Sequence, residues 1–410
     1  MPLSADHLMS LVDGPDIDFD VTVPVVVVGG GACGLVAALS AHDQGADVIV
    51  LERDPLPRGS TALSSGMITA CGSGLQKAAG IADDTPALFA SDIQAKAGGK
   101  ANPDLLAVIC AGAGTTIDWL VSVHNLNLVL LDGAPYPGHS RQRTHAPPTN
   151  SGSDLMADLL RAVAEAEIDV ITDAAVNALV VDGAHVRGVG IKRPDDSTER
   201  LGCGALVLAS SGFGGNPDMV ATYMPEMAGS IYFGHAGNKG DAVRWGQALG
   251  AACADMGSFQ GHGSVATPHA VTVSWALLNG GGILVNGMGE RFCDESLGAS
   301  ELAATVCQQG ENVWSIIDER LHGGALRFPD FEALQQLGAI KSGATAADLA
   351  QICGLPVAAL EKTLATLQKL PALTAPYFAI RVTGALLQTQ GGLAIDDKAR
   401  ILRSDGVVLP

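Results

Sequence analysis

The stretch Val25-Val26-Val27-Val28-Gly29-Gly30-Gly31-Ala32-Cys33-Gly34 lies near the start of the sequence and decides which fold we expect. Four consecutive valines are typical of a strand that is buried on both faces inside a parallel sheet. Glycines at positions 29, 31 and 34 follow with G-x-G-x-x-G spacing. A helical run over 35–44 and a second apolar run over 48–51 come next. This order predicts a βαβ unit that binds a dinucleotide.

Each part of the glycine turn has a chemical task in such a site. Gly29 permits the tight turn out of the strand, Gly31 lets the backbone approach a pyrophosphate, and Gly34 lets the helix pack close to the strand. The helix N-terminus at Ala32 and Cys33 points N–H groups and the positive end of the helix dipole at the phosphates. We therefore predict that these five residues contact the cofactor.

An acid and a hydroxyl-rich loop follow the glycines. Glu52 stands about where an acid that holds ribose hydroxyls is expected. The stretch Gly59-Ser60-Thr61-Ala62-Leu63-Ser64-Ser65-Gly66 suits a loop pressed against a flat cofactor. The predicted cofactor contacts in this region are Glu52, Arg53, Ser60, Thr61, Ser64, Ser65 and Gly66. The alternatives are a glycine-rich turn in an ordinary βαβ unit and a plain Ser/Gly loop.

Composition limits the class of protein. The chain has 410 residues, 47% of them hydrophobic, which suits two domains with large cores. Its net charge of −19 argues against nucleic acid and anionic membrane surfaces as partners. The eight cysteines form no C-x-x-C pair, so we expect no metal site and reduced thiols in a cytoplasmic protein. We expect neither a signal peptide in residues 1–20 nor an apolar run approaching the ~20 residues of a membrane span.

Two further segments carry candidate functional residues. The loop 133–153 contains His139, Arg141, Arg143 and His145, and it is either a solvated basic loop or one that faces an anion or the cofactor. The apolar run 205–209 ends in a second glycine-rich turn, where a doubly wound sheet binds its ligand. The predicted cofactor contacts here, together with one in the later turn 237–241, are Ser211, Gly212, Asn216 and Asp241.

The β-G-x-G-x-x-G-α-β-Glu unit together with the loop 59–66 resembles the FAD-binding flavoproteins of the fumarate reductase/succinate dehydrogenase group, which also includes the 3-ketosteroid Δ1-dehydrogenases. The resemblance implies an α/β fold: a Rossmann-like FAD-binding domain over 1–255 and 377–410, with an inserted α+β capping domain over 256–376. Succinate dehydrogenases carry a histidine in this loop that bonds to the flavin. The loop has none here, which implies that FAD is bound non-covalently.

The resemblance also implies a reaction. Members of the group transfer hydride between flavin N5 and a CH–CH bond beside an electron-withdrawing group, with a small-molecule substrate and a separate electron donor or acceptor. The candidates for moving the proton are His262, Glu295 and His145. His262 stands in a Gln-x-His sequence like the one that enters the group's active site. A buried structural histidine at 262 and a structural ion pair between Glu295 and Arg291 are the alternatives.

The sequence departs from the group at three places. The run 296–300 lacks the arginine that protonates fumarate, and Gln388 stands where a second substrate histidine is expected. Fumarate is therefore not the expected substrate. The group's flavin-contacting segment beyond Pro410 has no counterpart, so a fragment or a degenerate member is expected. The alternative functions are an inactive chain with impaired FAD binding and a steroid dehydrogenase, although the chain has only four tyrosines.

Overall fold

The computed structural model describes residues 10–14, 17–133, 135–136, 138–326, 328–367 and 371–410, and the chain divides into two compact units. Unit 1 comprises Met1–Gly212, Gly237–Ala254 and Gly392–Pro410. Unit 2 comprises Phe213–Ala236 and Asp255–Gly391. The expectation of no signal peptide concerns residues 1–20, of which 1–9, 15 and 16 lie outside the described residues.

The described residues form the following strands and helices. The strands are β1 (Ser10–Asp13), β2 (Thr22–Val28), β3 (Val48–Leu51), β4 (Ile68–Thr69), β5 (Val129–Leu130), β6 (Thr144–Ala146), β7 (Asp169–Ile171), β8 (Ala175–Asp182), β9 (His185–Lys192), β10 (Thr198–Leu208), β11 (Ile231–Tyr232), β12 (Cys253–Ala254), β13 (Phe259–Ala266), β14 (Val271–Thr272), β15 (Ile283–Val285), β16 (Val313–Asp318), β17 (Ile340–Gly343), β18 (Tyr377–Thr389) and β19 (Gly392–Leu393). The helices are α1 (Ala32–Asp43), α2 (Gly74–Ala78), α3 (Pro86–Lys96), α4 (Pro103–Ser122), α5 (Gly152–Glu165), α6 (Pro217–Tyr223), α7 (Asp241–Ala248), α8 (Ala276–Asn279), α9 (Ala303–Gln308), α10 (Glu319–Ala325), α11 (Pro329–Gln336), α12 (Ala346–Cys353) and α13 (Val357–Ala365). Two 3₁₀ turns cover Pro225–Met227 and Glu295–Leu297.

The main sheet of unit 1 has the strand order β1-β8-β9-β10-β2-β3-β7. Strand β2 lies between β10 and β3, and it pairs in parallel with both. Val26 and Val27 have no exposed surface and lie in two different hydrophobic clusters, so the strand is buried on both faces. Strands β8, β9 and β10 form an antiparallel meander in the same sheet. The predicted α/β fold with a Rossmann-like βαβ unit is confirmed.

A smaller antiparallel sheet in unit 1 has the order β4-β6-β5. Helix α4 buries Leu106, Cys110, Ile117 and Leu120 in the cores of this unit. By length and composition alone α4 is also long and apolar enough to cross a membrane. The expectation that no apolar run reaches that length is therefore wrong, although a buried core helix meets the same criterion.

The sheet of unit 2 is organised around the 13-residue strand β18. Strands β13, β16 and β17 pair with it in antiparallel fashion, and β11 pairs with it in parallel. We predict helix throughout 315–370, and this is wrong at β16 and β17. All six residues of β16 are buried, and an apolar run covered on both faces shows neither the helical nor the strand period.

The predicted domain boundaries differ from the division into two units at two segments and at Asp255, which lies in unit 2. Residues 213–236 and 377–391 lie in unit 2, although the prediction assigns both to the FAD-binding domain. The physical reason for the second difference is that β18 supplies the central pairing strand of the unit 2 sheet. The assignment of the two units to cofactor binding and capping stays a prediction.

Candidate functional site

The glycine turn after β2 has the close approaches that its sequence predicts. Gly29 has φ +110°, and a Cβ there would lie 2.5 Å from the carbonyl oxygen of Ala209. A Cβ at Gly34 would lie 1.9 Å from the carbonyl oxygen of Gly29, so the helix packs directly on the turn. At Gly31 the nearest atom to such a Cβ is Thr61 Oγ1, 3.7 Å away. The backbone at Gly31 therefore presents an open surface.

Helix α1 begins at Ala32, directly after this open surface. Gly31 is its N-cap residue and has no side chain with which to cap the helix, and no acid lies in the first turn. The N–H of Ala32 donates to Thr61 Oγ1 at 3.2 Å, and Cys33 is exposed. A helix N-terminus that begins at a glycine N-cap suits the binding of phosphate groups.

Glu52 lies at the end of β3 and is fixed by two backbone groups. Its Oε2 accepts a hydrogen bond from the N–H of Gly30 at 2.8 Å, and its Oε1 accepts one from the N–H of Asp54 at 3.0 Å. The side chain is nearly buried, with 8% of its surface exposed. Each carboxyl oxygen keeps a further lone pair, so the side chain can still accept hydrogen bonds from ribose hydroxyls.

The loop 59–66 is held from two sides within unit 1. Asn238 Nδ2 donates to Ser60 Oγ at 3.0 Å. The N–H of Gly152 donates to the carbonyl of Ser64 at 2.8 Å, and a Cβ at 152 would lie 1.9 Å from the carbonyl oxygen of Thr61. The sequence prediction missed Asn238 and Gly152 as supports of the loop. The sequence does contain a pattern that could have identified them. Asn238 has an amide side chain and Gly152 has none, and each stands in a glycine-containing turn that precedes a helix.

Other contacts in the loop are local. Ser64 Oγ donates to the carbonyl of Thr61 and accepts from the N–H of Gly66, which has φ +64°. Ser65 is exposed. The hydroxyl of Ser64 therefore stabilises the loop itself, whereas the exposed side of Ser65 is available to a ligand.

Arg53 and Asp241 are joined to each other. Arg53 Nη2 lies 3.1 Å from Asp241 Oδ2, and Arg244 Nη2 lies 2.7 Å from Asp241 Oδ1. Asp241 is nearly buried at the start of α7. These contacts favour a role for Asp241 in positioning Arg53, and its predicted contact with the cofactor stays a prediction.

The second glycine turn divides between the two units. Ser211 has φ +63°, and the carbonyl of Gly212 accepts from the N–H of Gly240 at 3.0 Å, all within unit 1. Asn216 belongs to unit 2, where its Oδ1 accepts from the N–H of Met219 and caps α6. The structure therefore gives Asn216 a capping role that the sequence prediction did not include.

The basic residues of loop 133–153 pair with acids rather than forming a cationic surface. Arg141 pairs with Asp83, and Arg143 pairs with Asp84 and Asp92. The side chains of Arg143 and Asp84 are both completely buried. Neither sequence interpretation of this loop as solvated or anion-facing holds for Arg143, because three aspartates from the preceding segment neutralise the two guanidinium groups.

His145 is the first correction to the predicted catalytic residues. Its side chain has no exposed surface. Nδ1 lies 2.8 Å from the carbonyl oxygen of Arg143, and Nε2 lies 2.8 Å from Ser73 Oγ. Nδ1 therefore carries the proton and Nε2 accepts one from the serine, while burial lowers the pKa of His145. A neutral imidazole with both nitrogens engaged supports structure and does not reach a substrate.

Glu295 is the second correction. Its side chain is completely buried, and both carboxylate oxygens accept hydrogen bonds from the Arg291 guanidinium in an ion pair. Its Oε1 also accepts from the N–H of Leu284, and its carbonyl accepts from Trp275 Nε1. These contacts satisfy the carboxylate, so the structural alternative for Glu295 is the correct one.

His262 lies on β13 in unit 2 and is partly exposed. Its Nδ1 accepts from the N–H of Ser264 at 3.2 Å, so the neutral ring carries its proton on Nε2. The ring packs edge-on against Trp275 at a centroid distance of 6.1 Å. Burial lowers the pKa of His262. A neutral imidazole that carries its proton on Nε2 can donate a hydrogen bond to a substrate.

The comparisons with known proteins address the family. Residues 24–410 match the family described as FAD binding domain. The chain belongs to this family. The NADH:fumarate oxidoreductase of Klebsiella pneumoniae (strain 342) is 29% identical over 401 residues, which cover 93% of this chain and 43% of that protein. The urocanate reductase of Eggerthella lenta is 28% identical over 427 residues, which cover 95% of this chain and 68% of that protein.

A solved structure supports the same assignment. The open conformation of a flavocytochrome c3 fumarate reductase superposes with a TM-score of 0.84 at 27% identity, covering 95% of this chain and 72% of that one. The chain spans less than half the length of the first relative. The predictions of a fumarate reductase-type flavoprotein and of FAD as its cofactor are confirmed.

The FAD-binding family fits the residues of unit 1. The open backbone at Gly31, the N-terminus of α1 and the fixed carboxylate of Glu52 are matched to a pyrophosphate and a ribose. The loop 59–66 contains no histidine, so it offers no imidazole for a covalent flavin bond.

Proposed function

We propose that unit 1 holds FAD non-covalently and that the chain is an oxidoreductase acting on a CH–CH bond beside an electron-withdrawing group. The observation that carries the proposal is the N-terminus of α1, where the Gly31 backbone and the N–H of Cys33 would meet the pyrophosphate, and the N–H of Ala32 would be shared between the pyrophosphate and Thr61 Oγ1. Glu52 would accept hydrogen bonds from the ribose hydroxyls. The loop 59–66, supported by Gly152 and Asn238, would lie against the remainder of the cofactor.

The bound flavin would supply hydride transfer at N5, and the protein would orient and polarise the substrate. His262 is the residue of unit 2 proposed for this task. Its Nε2–H would donate a hydrogen bond to a substrate carbonyl, which increases the electron demand at the conjugated double bond. The names of the similar proteins support this reaction type, because fumarate and urocanate both have a carbon–carbon double bond conjugated to an acyl group.

The proposal also covers the interaction partners of the protein and its cellular location. The partners would be a small-molecule substrate and a separate electron donor or acceptor, with no part for nucleic acid or a membrane at a net charge of −19. All eight cysteines are free thiols, which supports a cytoplasmic location. The steroid dehydrogenase alternative needs active-site tyrosines. Tyr377 lies at the opposite end of β18 from Gln388, whereas Tyr232 of β11 pairs with Leu386.

The test is reoxidation of the reduced flavin. The purified holoprotein is reduced with dithionite without oxygen, mixed with a set of conjugated alkenes, and followed through the visible flavin absorbance. We expect at least one alkene to restore the oxidised spectrum, and His262→Asn to slow the restoration about 10- to 100-fold. A folded holoprotein that no conjugated alkene reoxidises contradicts the proposed reaction, and a folded protein that holds no flavin contradicts the whole proposal.

A further inference from the structure

His262 lies at an irregularity in the pairing of β13 with β18. His262 is opposite Ala385 and Val265 is opposite Thr383, so β13 contains one residue more than β18 over this span. The extra residue is typical of a β-bulge, which points a side chain in a direction that a regular strand does not provide. The orientation of the His262 ring therefore depends on the residues that hold the bulge.

Backbone hydrogen bonds hold the bulge on both sides. The N–H of Gly263 donates to the carbonyl of Ala299 at 2.8 Å, and the N–H of Val273 donates to the carbonyl of Ser264 at 2.9 Å. The N–H of Ser264 donates to His262 Nδ1 at 3.2 Å. The ring orientation and the tautomer of His262 are therefore coupled to the backbone of the two residues that follow it.

The indole of Trp275 packs against both parts of the bulge. It meets the His262 ring edge-on, with an interplanar angle of 90° and a centroid distance of 6.1 Å. A Cβ at Gly263 would lie 3.2 Å from Trp275 Cζ3 and 3.3 Å from Trp275 Cη2. The outer ring of the indole therefore lies directly against the Gly263 backbone, where a side chain would crowd it.

Trp275 is itself held in place at the other edge of the indole. Its Nε1 donates to the carbonyl of Glu295 at 3.0 Å, and only 9% of its surface is exposed. Glu295 is fixed in turn by its ion pair with Arg291 and by the N–H of Leu284. A buried ring that is anchored at its polar edge restricts the groups that pack against its apolar edge.

We propose that Trp275 is a positioning residue for His262, because its indole keeps the bulge and the imidazole in the orientation in which Nε2–H would reach the substrate. The inference rests on the proposed function, since it names a residue that prepares His262 for that reaction. A displaced imidazole would form a longer or bent hydrogen bond to the substrate carbonyl. A misplacement of about 1 Å in such a contact can cost about 100-fold in rate.

The test asks whether Trp275 acts through His262. Trp275→Phe removes the outer ring over Gly263 and the donor to Glu295 but keeps an aromatic side chain. In the flavin reoxidation assay we expect it to slow the reaction at saturating alkene about 10-fold, with less than about a threefold change in the half-saturating concentration. In the His262→Asn background the same substitution should change the rate less than about twofold, because the group that it positions is absent.

A second buried tryptophan of unit 2 provides the matched control. Trp314 lies in the same hydrophobic cluster, is 7% exposed, and donates from Nε1 to Asn312 Oδ1. Trp314→Phe should change the reoxidation rate less than about twofold. Equal slowing by Trp275→Phe with and without His262 overturns the inference, and so does an unchanged rate for Trp275→Phe alone.

A measurement on the ring itself does not depend on turnover. With nitrogen-15 in the histidine rings, the His262 resonances are those that disappear in His262→Asn. At about pH 8, where an ordinary histidine is neutral, we expect one tautomer with the proton on Nε2. Trp275→Phe should move both ring nitrogen resonances toward those of a solvent-exposed histidine, and Trp314→Phe should leave them in place. Unmoved resonances in Trp275→Phe contradict the inference.

The inference and the proposed function fail in different ways. Retained flavin absorbance and an unchanged circular dichroism spectrum show that a variant is folded and loaded. If no conjugated alkene reoxidises the flavin, the proposed reaction is contradicted, whereas the ring resonances still test the role of Trp275. If Trp275→Phe does not fold, Gly263→Ala replaces it, because its methyl group would press on the indole and should move the same resonances. Resonances that stay in place in that variant contradict the inference.

Discussion

The candidate cofactor site in unit 1 consists mainly of backbone groups, whereas the candidate substrate site in unit 2 consists of side chains. In the unit 1 site, Gly29 and Gly34 allow backbone carbonyl groups to approach within distances that any Cβ would prevent. In unit 2 the polar groups belong to side chains on strand surfaces, such as His262 and the hydrogen-bonded pair of Gln260 on β13 and Gln388 on β18. Changes at the glycine turn of unit 1 should therefore weaken FAD binding and stability together, whereas changes at these strand-surface side chains of unit 2 should alter the reaction with little loss of stability.

The largest effect is expected at Gly34. Gly34→Ala places a Cβ 1.9 Å from the carbonyl of Gly29, so helix or turn must move. We expect FAD affinity to fall at least about 100-fold and the free energy of unfolding to fall by about 2–4 kcal/mol. Fluorescence titration with FAD and urea unfolding measure the two. Gly112→Ala in α4 is the control, because a Cβ there has no neighbour within 4 Å and alanine favours helix. Equal behaviour of the two variants would show that the glycine turn has no special role.

The next effect concerns the carboxylate at the end of β3. Glu52→Ala removes the acceptor for the N–H groups of Gly30 and Asp54. We expect FAD affinity to fall about 10- to 100-fold, through lost ribose contacts and a looser turn. Isothermal titration calorimetry measures the loss, and Glu361→Ala on the exposed side of α13 serves as control. Unchanged affinity would remove Glu52 from the site.

A smaller effect is expected from pH. Burial lowers the pKa of His145 in the folded protein, so the unfolded chain binds this proton at a higher pH than the native one. The free energy of unfolding should therefore be fully retained above the ordinary histidine pKa of about 6.5 and fall as the pH drops below it. Urea unfolding at several pH values measures the slope. His145→Gln should reduce the slope, and an unchanged slope would show that His145 does not contribute.

The smallest effect on stability is expected at the hydrogen-bonded pair of Gln260 and Gln388. Gln388→Ala removes one exposed hydrogen bond, so the free energy of unfolding should change by less than about 0.5 kcal/mol. Thermal unfolding of the holoprotein provides the measurement. A loss of more than about 2 kcal/mol would mean that the pair supports the sheet, which would remove the contrast between the two units.

The sequence predicted the structure best where all the residues that form a feature lie in one short stretch. The valines, the three glycines and Glu52 predict β2, α1, β3 and the turn between them, because the backbone requirements are local. The prediction failed where the outcome depends on partners distant in sequence. His145 meets Ser73, and β18 joins strands drawn from 231–343. The residues next to them in the sequence contain no pattern that predicts these long-range pairings.

The catalytic candidates show the same limit. Sequence motifs identify His262 and Glu295 as candidates, but they do not predict which of the two side chains is exposed. Glu295 is completely buried with Arg291, whereas His262 keeps a partly exposed ring. The pair of Gln260 and Gln388 could not be recognised from sequence either, because the two glutamines become neighbours only through the register of β13 and β18.

The central claim is that unit 1 binds FAD without a covalent bond, and one measurement tests it most directly. The purified chain is supplied with FAD, passed through a desalting column and precipitated with acid, and flavin absorbance is read before precipitation and in the supernatant. We predict about one FAD per chain before precipitation and its complete release afterwards. A folded chain that leaves the column colourless, or flavin that remains with the precipitate, would contradict the account.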